Sequence, residues 1–140
     1  MFTLAVLISY SHLNLNAPSS ADITAGQTIY KVMSYSKMGR NHDIEAVARV
    51  IINEKPDILF MQEISGVDAN GLVQRLGGLY DGAPLFYFAD NHYGLIASRF
   101  QVTASIKKGD NFLAAEIALP EQSVQVWNVH LEKSIGNTDH

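Results

Sequence analysis

The sequence contains no cysteine, which excludes disulfides, thiolate nucleophiles and cysteine-ligated zinc, and leaves the redox compartment open. It also has no basic stripe. Ten Lys and Arg are dispersed among fourteen Asp and Glu for a formal net charge of −4, so nothing marks a surface for non-specific nucleic-acid binding. An acidic protein can still handle phosphates where metal ions offset its charge. No run approaches the roughly 20 apolar residues that a membrane-spanning helix needs. P-loop, dinucleotide fingerprint, nucleophile elbow and HExxH motifs are missing, as are internal repeats and low-complexity runs.

What is present fits one domain. A chain of 140 residues with 47% hydrophobic content can bury a single substantial core. Phe2 to Ile8 is an apolar run followed by small and polar residues through Ala21, the outline of a signal peptide, yet no Lys or Arg precedes it. Localisation therefore stays open between cytoplasm and secretion. Residues 1–27 are expected to form a leader or linker, with the domain proper over 28–140.

The chain is organised around Pro56-Asp57-Ile58-Leu59-Phe60-Met61-Gln62-Glu63, four apolar residues running into an amide and a carboxylate. Such a run predicts a strand buried on both faces, and its C-terminal end is where α/β folds bind ligands. Gln62 and Glu63 can equally mark where the strand meets water. Ahead of it, Ile29 to Tyr35 reads as a first strand ending in Ser34-Tyr35-Ser36. Ile44, Val47, Ala48 and Ile51 then follow at helical spacing, with Asn41 or Asp43 as cap and Pro56 as stop. Strand, helix, strand at this length predicts a crossover with the two strands as neighbours. Ser65 to Asp68 predicts a capping box for a second helix with Leu72, Val73 and Leu76 inward, ended by Gly77-Gly78.

Beyond it the pattern becomes β-like. Five short runs, 85–89, 93–98, 101–107, 112–119 and 123–131, alternate with turns and read as an antiparallel meander. Gly109-Asp110-Asn111 falls where a hairpin turn is required. In the last run Asn128 and His130 share a face with Val124 and Val126, so two more polar groups close an apolar strand. There an imidazole could donate to a phosphate oxygen, or simply be satisfied at a strand end. Ser36 could bind phosphate or a metal-bound water, or act as a cap. His12, His42, His92 and His140 read as surface residues.

These residues resemble a family. Val32-Met33-Ser34-Tyr35-Ser36, Pro56-Asp57 through Gln62-Glu63, Tyr93-Gly94 through Ser98-Arg99-Phe100, and Asn128-Val129-His130-Leu131 are similar, in order, to landmarks of the endonuclease/exonuclease/phosphatase superfamily. The resemblance implies an α/β fold, part of a four-layer α/β/β/α sandwich with mixed, largely antiparallel sheets. It implies Mg²⁺ (or Mn²⁺) on Glu63 with Ser36 beside it, and His130 with Asn128 at the scissile phosphate of a phosphate ester. Ser36 stands where the family carries Asn. The family's later Gly-Asp-x-Asn and Ser-Asp-His motifs have no counterpart, so the chain is expected to be a truncated hydrolase domain, weakly active or inactive alone. The other reading is a non-catalytic binding protein that self-associates or takes a complementing chain through an exposed sheet edge.

Overall fold

A computed structural model describes residues 28–38, 40–78, 85–89, 94–109 and 112–130. The leader and the residues after His130 lie outside them, together with His12, His92, His140, Asp110 and Asn111. Two sheets and two helices make up the described fold, a mixed α/β architecture.

The expected crossover is present: β1 (Val32–Ser36) and β2 (Ile58–Gln62) pair in parallel across α1 (Ile44–Glu54), with Ser36 opposite Gln62. β1 starts later than the sequence pattern indicates. Its partner β2 begins only after Pro56, which has no N–H to donate. Asp57 closes the ladder by accepting the Lys31 N–H at 2.6 Å, leaving Ile29 exposed. The Asp43 side chain caps α1, and Lys55 ends it in the left-handed region ahead of Pro56. Ser65 accepts the Asp68 N–H to start α2 (Gly66–Leu76), as the capping pattern anticipates. Ala69, Leu72 and Leu76 are its buried residues, and Val73 packs at the margin.

The five later strands are not one meander. β3 (Phe86–Ala89) and β4 (Gly94–Ser98) join the first sheet, giving the order β1-β2-β4-β3. β5 (Val102–Gly109), β6 (Phe112–Ala118) and β7 (Ser123–Val129) form a separate antiparallel sheet. The division has a cause in composition. β4 is buried along its whole length, as a central strand must be, whereas β7 alternates buried and exposed residues.

The layers follow from strand alternation. Leu59, Met61, Leu95 and Ala97 face α1 and α2 in one apolar cluster. Ile58, Phe60 and Ile96 point the other way, onto Leu113, Ala115, Ile117, Val124 and Val126 of the second sheet. The first sheet is thus covered on both faces, which is why β2 reads as a continuous apolar run. At the far end of β2, Asp57 pairs with Arg99 at 2.6 Å, and its carbonyl accepts from Ser98. The Pro-Asp and Ser-Arg landmarks therefore tie down the end of the sheet away from Glu63. Among the described residues, no helix is long and apolar enough to cross a membrane.

Candidate active site at the strand ends

Three strands deliver polar groups to one place. Ser36 ends β1, Glu63 follows β2, and His130 follows β7. Ser36 donates its hydroxyl to Glu63 Oε1 at 2.9 Å, and His130 Nε2 lies 3.9 Å from the same oxygen. That separation is an ion pair when the imidazole is protonated and too long for a hydrogen bond. Glu63 and His130 are each about one-third exposed, so a ligand can reach both. Glu63 has φ of 56°, a left-handed conformation that is uncommon outside glycine.

Asn128 occupies a different position from these three. It is 4% exposed, between the sheets, and its amide nitrogen donates to the carbonyls of Met61 at 2.7 Å and Leu95 at 3.1 Å. Its Oδ1 accepts from Gln62 Nε2 at 2.6 Å, and Gln62 also donates to Ser34 at 3.2 Å. The Asn128 side chain thus clasps the second sheet to β2 and β4 of the first, with both amide protons committed. Gly94 leaves room for Leu113 beside this amide. A Cβ there would lie 2.7 Å from Leu113 Cδ1 and 3.5 Å from Asn128 Nδ2.

A second buried group supports the site from the helix side. Lys37 follows Ser36, and its side chain is 1% exposed. Its N–H extends the β1–β2 ladder to the Gln62 carbonyl at 3.1 Å, and its ammonium donates to Asp68 at 2.9 Å and to the Asn41 carbonyl. Hydrogen bonding from Lys37 holds the Asp68 carboxyl below the usual carboxylate range, against an opposing push from burial. Lys37, Asp68 and Gly94 were not singled out as site residues in the sequence, whereas Gln62 was marked with Glu63 at the strand end. The signal for Lys37 was its place directly after a polar strand end, and for Gly94 its place in the Tyr93-Gly94 landmark at the start of a wholly apolar strand.

The donor set suits a hard cation. One carboxylate and one hydroxyl are oxygen donors of the kind that Mg²⁺ takes, one or two protein carboxylates with several waters retained, and the His130 imidazole nitrogen stands 3.9 Å from the carboxylate. Among the described residues no three His, Asp or Glu side chains cluster into a protein-only cage.

The Endonuclease/Exonuclease/phosphatase family profile matches residues 13–129, well over half of the sequence. The chain belongs to this family. Solved structures with the same fold include a D. rerio TDP2 humanized by 14 mutations, at 18% identity and a TM-score of 0.57, and truncated Caenorhabditis elegans TDP2, at 24% and 0.54. Each match covers 76% of this chain and 49% or 47% of the other, so the chain spans about half the length of those structures. No curated protein sequence matches it.

Proposed function

We propose that the chain is a phosphate-ester hydrolase domain, of phosphodiester or phosphomonoester type, whose centre is Glu63 with Ser36 and His130. The observation that carries this reading is the convergence of Ser36 and His130 on one Glu63 oxygen at the ends of three strands, in a chain of this family. Glu63 is the residue to hold Mg²⁺ or Mn²⁺, with Ser36 orienting its carboxylate. When bound there, the cation supplies positive charge to phosphate oxygens. His130 in its protonated form donates to a phosphate oxygen from the opposite strand. Asn128 acts as a positioning residue: through Gln62 and the two carbonyls it fixes β7 against β2, and with them the separation of His130 from Glu63.

Calorimetric titration of Mg²⁺ and Mn²⁺, together with hydrolysis of mono- and bis-p-nitrophenyl phosphate, tests the proposal. Binding and turnover are expected to vanish in Glu63→Gln. Metal-dependent hydrolysis that survives that substitution removes Glu63 from the centre.

A second reading, a domain that binds phosphate esters without turning them over, is favoured by one observation. Ser36 stands where the family carries Asn, and catalytic groups that act as a unit lose most of their effect when one is altered. Metal and phosphate binding without hydrolysis would select it.

A further inference from the structure

β1 and β2 end side by side, and just past their paired ends the chain enters the left-handed region twice, at Met38 with φ of 63° and at Glu63 with φ of 56°. For a residue with a Cβ this backbone costs roughly 1–3 kcal/mol and persists only where the surroundings over-determine it. Met38 is 67% exposed and Glu63 about one-third exposed, so burial of these side chains does not account for the bends. Both bends adjoin Lys37, the one charged residue that is buried among the described residues.

Lys37 ties three stretches of chain together. Its N–H reaches the Gln62 carbonyl at 3.1 Å, directly ahead of Glu63. Its ammonium reaches the Asp68 carboxylate at 2.9 Å, in the first turn of α2, and also the Asn41 carbonyl. Asn41 in turn donates its N–H to the Met38 carbonyl at 2.8 Å, closing the first bend. Residues 63–67, the second bend included, are thus pinned at both ends to one residue. Ser36, the neighbour of Lys37, donates to Glu63 Oε1 at 2.9 Å, so the residue that fixes the path of Glu63 also fixes the hydroxyl that orients its carboxylate. Stability alone does not call for charges here, because a buried ion pair replaced by apolar side chains of similar volume is commonly as stable or more so. What the pair adds is direction: an ammonium held between a carboxylate and a carbonyl sets where each of them stands.

We propose that the Lys37–Asp68 pair is a positioning device that holds Glu63 in its left-handed bend, keeps the carboxylate against Ser36, and so sets the affinity of the site for Mg²⁺. This role rests on the reading of Glu63 as the residue that holds the cation; Lys37 and Asp68 act through it and are not ligands themselves. With the tie cut, residues 63–67 relax toward extended backbone and the carboxylate turns away from Ser36. Groups that orient a metal ligand from behind are typically worth tenfold or more in affinity.

The test compares the full 140-residue chain with Lys37→Met and with Lys37→Met/Asp68→Ala. The double variant strands no charge, so its urea midpoint is expected to return close to wild type. Mg²⁺ affinity in calorimetry is nevertheless expected to stay about tenfold weaker in both variants. Affinity that recovers together with stability reduces the pair to a structural role and overturns the proposal, as does an affinity unchanged in both. A second readout needs no cation: NMR scalar couplings at Glu63, which report φ, are measured on the metal-free chains. They are expected to show the left-handed bend in wild type and to move toward extended values in both variants; couplings that stay unchanged overturn the proposal. All readings are taken where circular dichroism shows each chain folded, and Lys37→Met alone decides if the double variant does not regain its stability. If the wild-type chain binds no Mg²⁺, the reading of Glu63 fails and the couplings alone decide the positioning: a φ that shifts supports it, an unchanged φ overturns it.

Discussion

Replacing Asp68 with Asn should destabilise the fold through a group that the substitution does not touch. Lys37 has a 1% exposed side chain and two acceptors, the Asp68 carboxylate at 2.9 Å and the Asn41 carbonyl. Removing one partner of a buried ion pair leaves the other charge uncompensated, at a cost of roughly 3–5 kcal/mol. Asp68 is 19% exposed and Asn retains an oxygen, so the expected loss is about 2–4 kcal/mol, a large part of a typical domain's stability. The pH dependence carries a definite sign. Hydrogen bonding from Lys37 depresses the folded-state pKa of Asp68, so its contribution is fully present above the unfolded value of about 3.9 and is lost as pH falls through the folded value. Urea unfolding followed by circular dichroism should show the full difference between wild type and Asp68→Asn at pH 6, and a much smaller one near pH 2.5. Lys37→Met should cost less than Asp68→Asn, because the carboxylate it strands can reach water. A loss below about 0.5 kcal/mol at pH 6, or a difference unchanged in acid, refutes the reasoning.

Asn128→Ala strips two buried carbonyls of a donor and Gln62 of its acceptor, and should lower stability by about 2–4 kcal/mol in urea unfolding. Gly94→Ala places a methyl against the tip of Leu113, which can shift, so a loss of only about 1–2 kcal/mol is expected in thermal unfolding, with coupling to Leu113→Ala in a double-mutant cycle. Ser36→Ala frees the Glu63 carboxylate from its orienting hydroxyl and should weaken Mg²⁺ binding by roughly tenfold in calorimetry. Glu63→Gly should be more stable than Glu63→Ala by about 1 kcal/mol, since only glycine adopts φ of 56° without strain.

What could be read from the sequence were the features set by neighbours along the chain. The spacing of Ile44, Val47, Ala48 and Ile51 marked α1, Ser65 marked the start of α2, and the apolar run through Met61 marked a strand covered on both sides. Ser36, Glu63 and His130 stood out because each follows an apolar strand, and the fold brings those ends together. The features that could not be read depend on partners distant in sequence. β4 pairs with β2 across more than thirty residues, and nothing local in Gly94 to Ser98 specifies that partner over β5. Lys37 reads as a surface residue until Asp68, 31 positions later, is seen against it. Asn128 reads as a ligand-orienting group, and only the carbonyls of Met61 and Leu95, more than thirty residues away, show where its amide goes.

Strand alternation explains why Glu63 is held in an unfavourable backbone conformation. Val32, Ser34 and Ser36 share the face of β1 that looks toward the second sheet, and Ile58, Phe60 and Gln62 share the same face of β2. Met61 faces the helices, so a regular continuation of β2 would send Glu63 after it, toward the fully buried Ile64, Ala69 and Leu72. A carboxylate there would carry a desolvation cost of several kcal/mol. The left-handed turn at Glu63 costs roughly 1–3 kcal/mol and turns the carboxylate toward Ser36 and His130 instead. The smaller cost replaces the larger one, and the carboxylate reaches the mouth between the sheets. Gln62, one residue earlier and still in register, provides the link to Asn128 that keeps that mouth at a fixed width. Two adjacent residues thus divide the work: the in-register amide joins the sheets, and the out-of-register carboxylate meets Ser36 and His130.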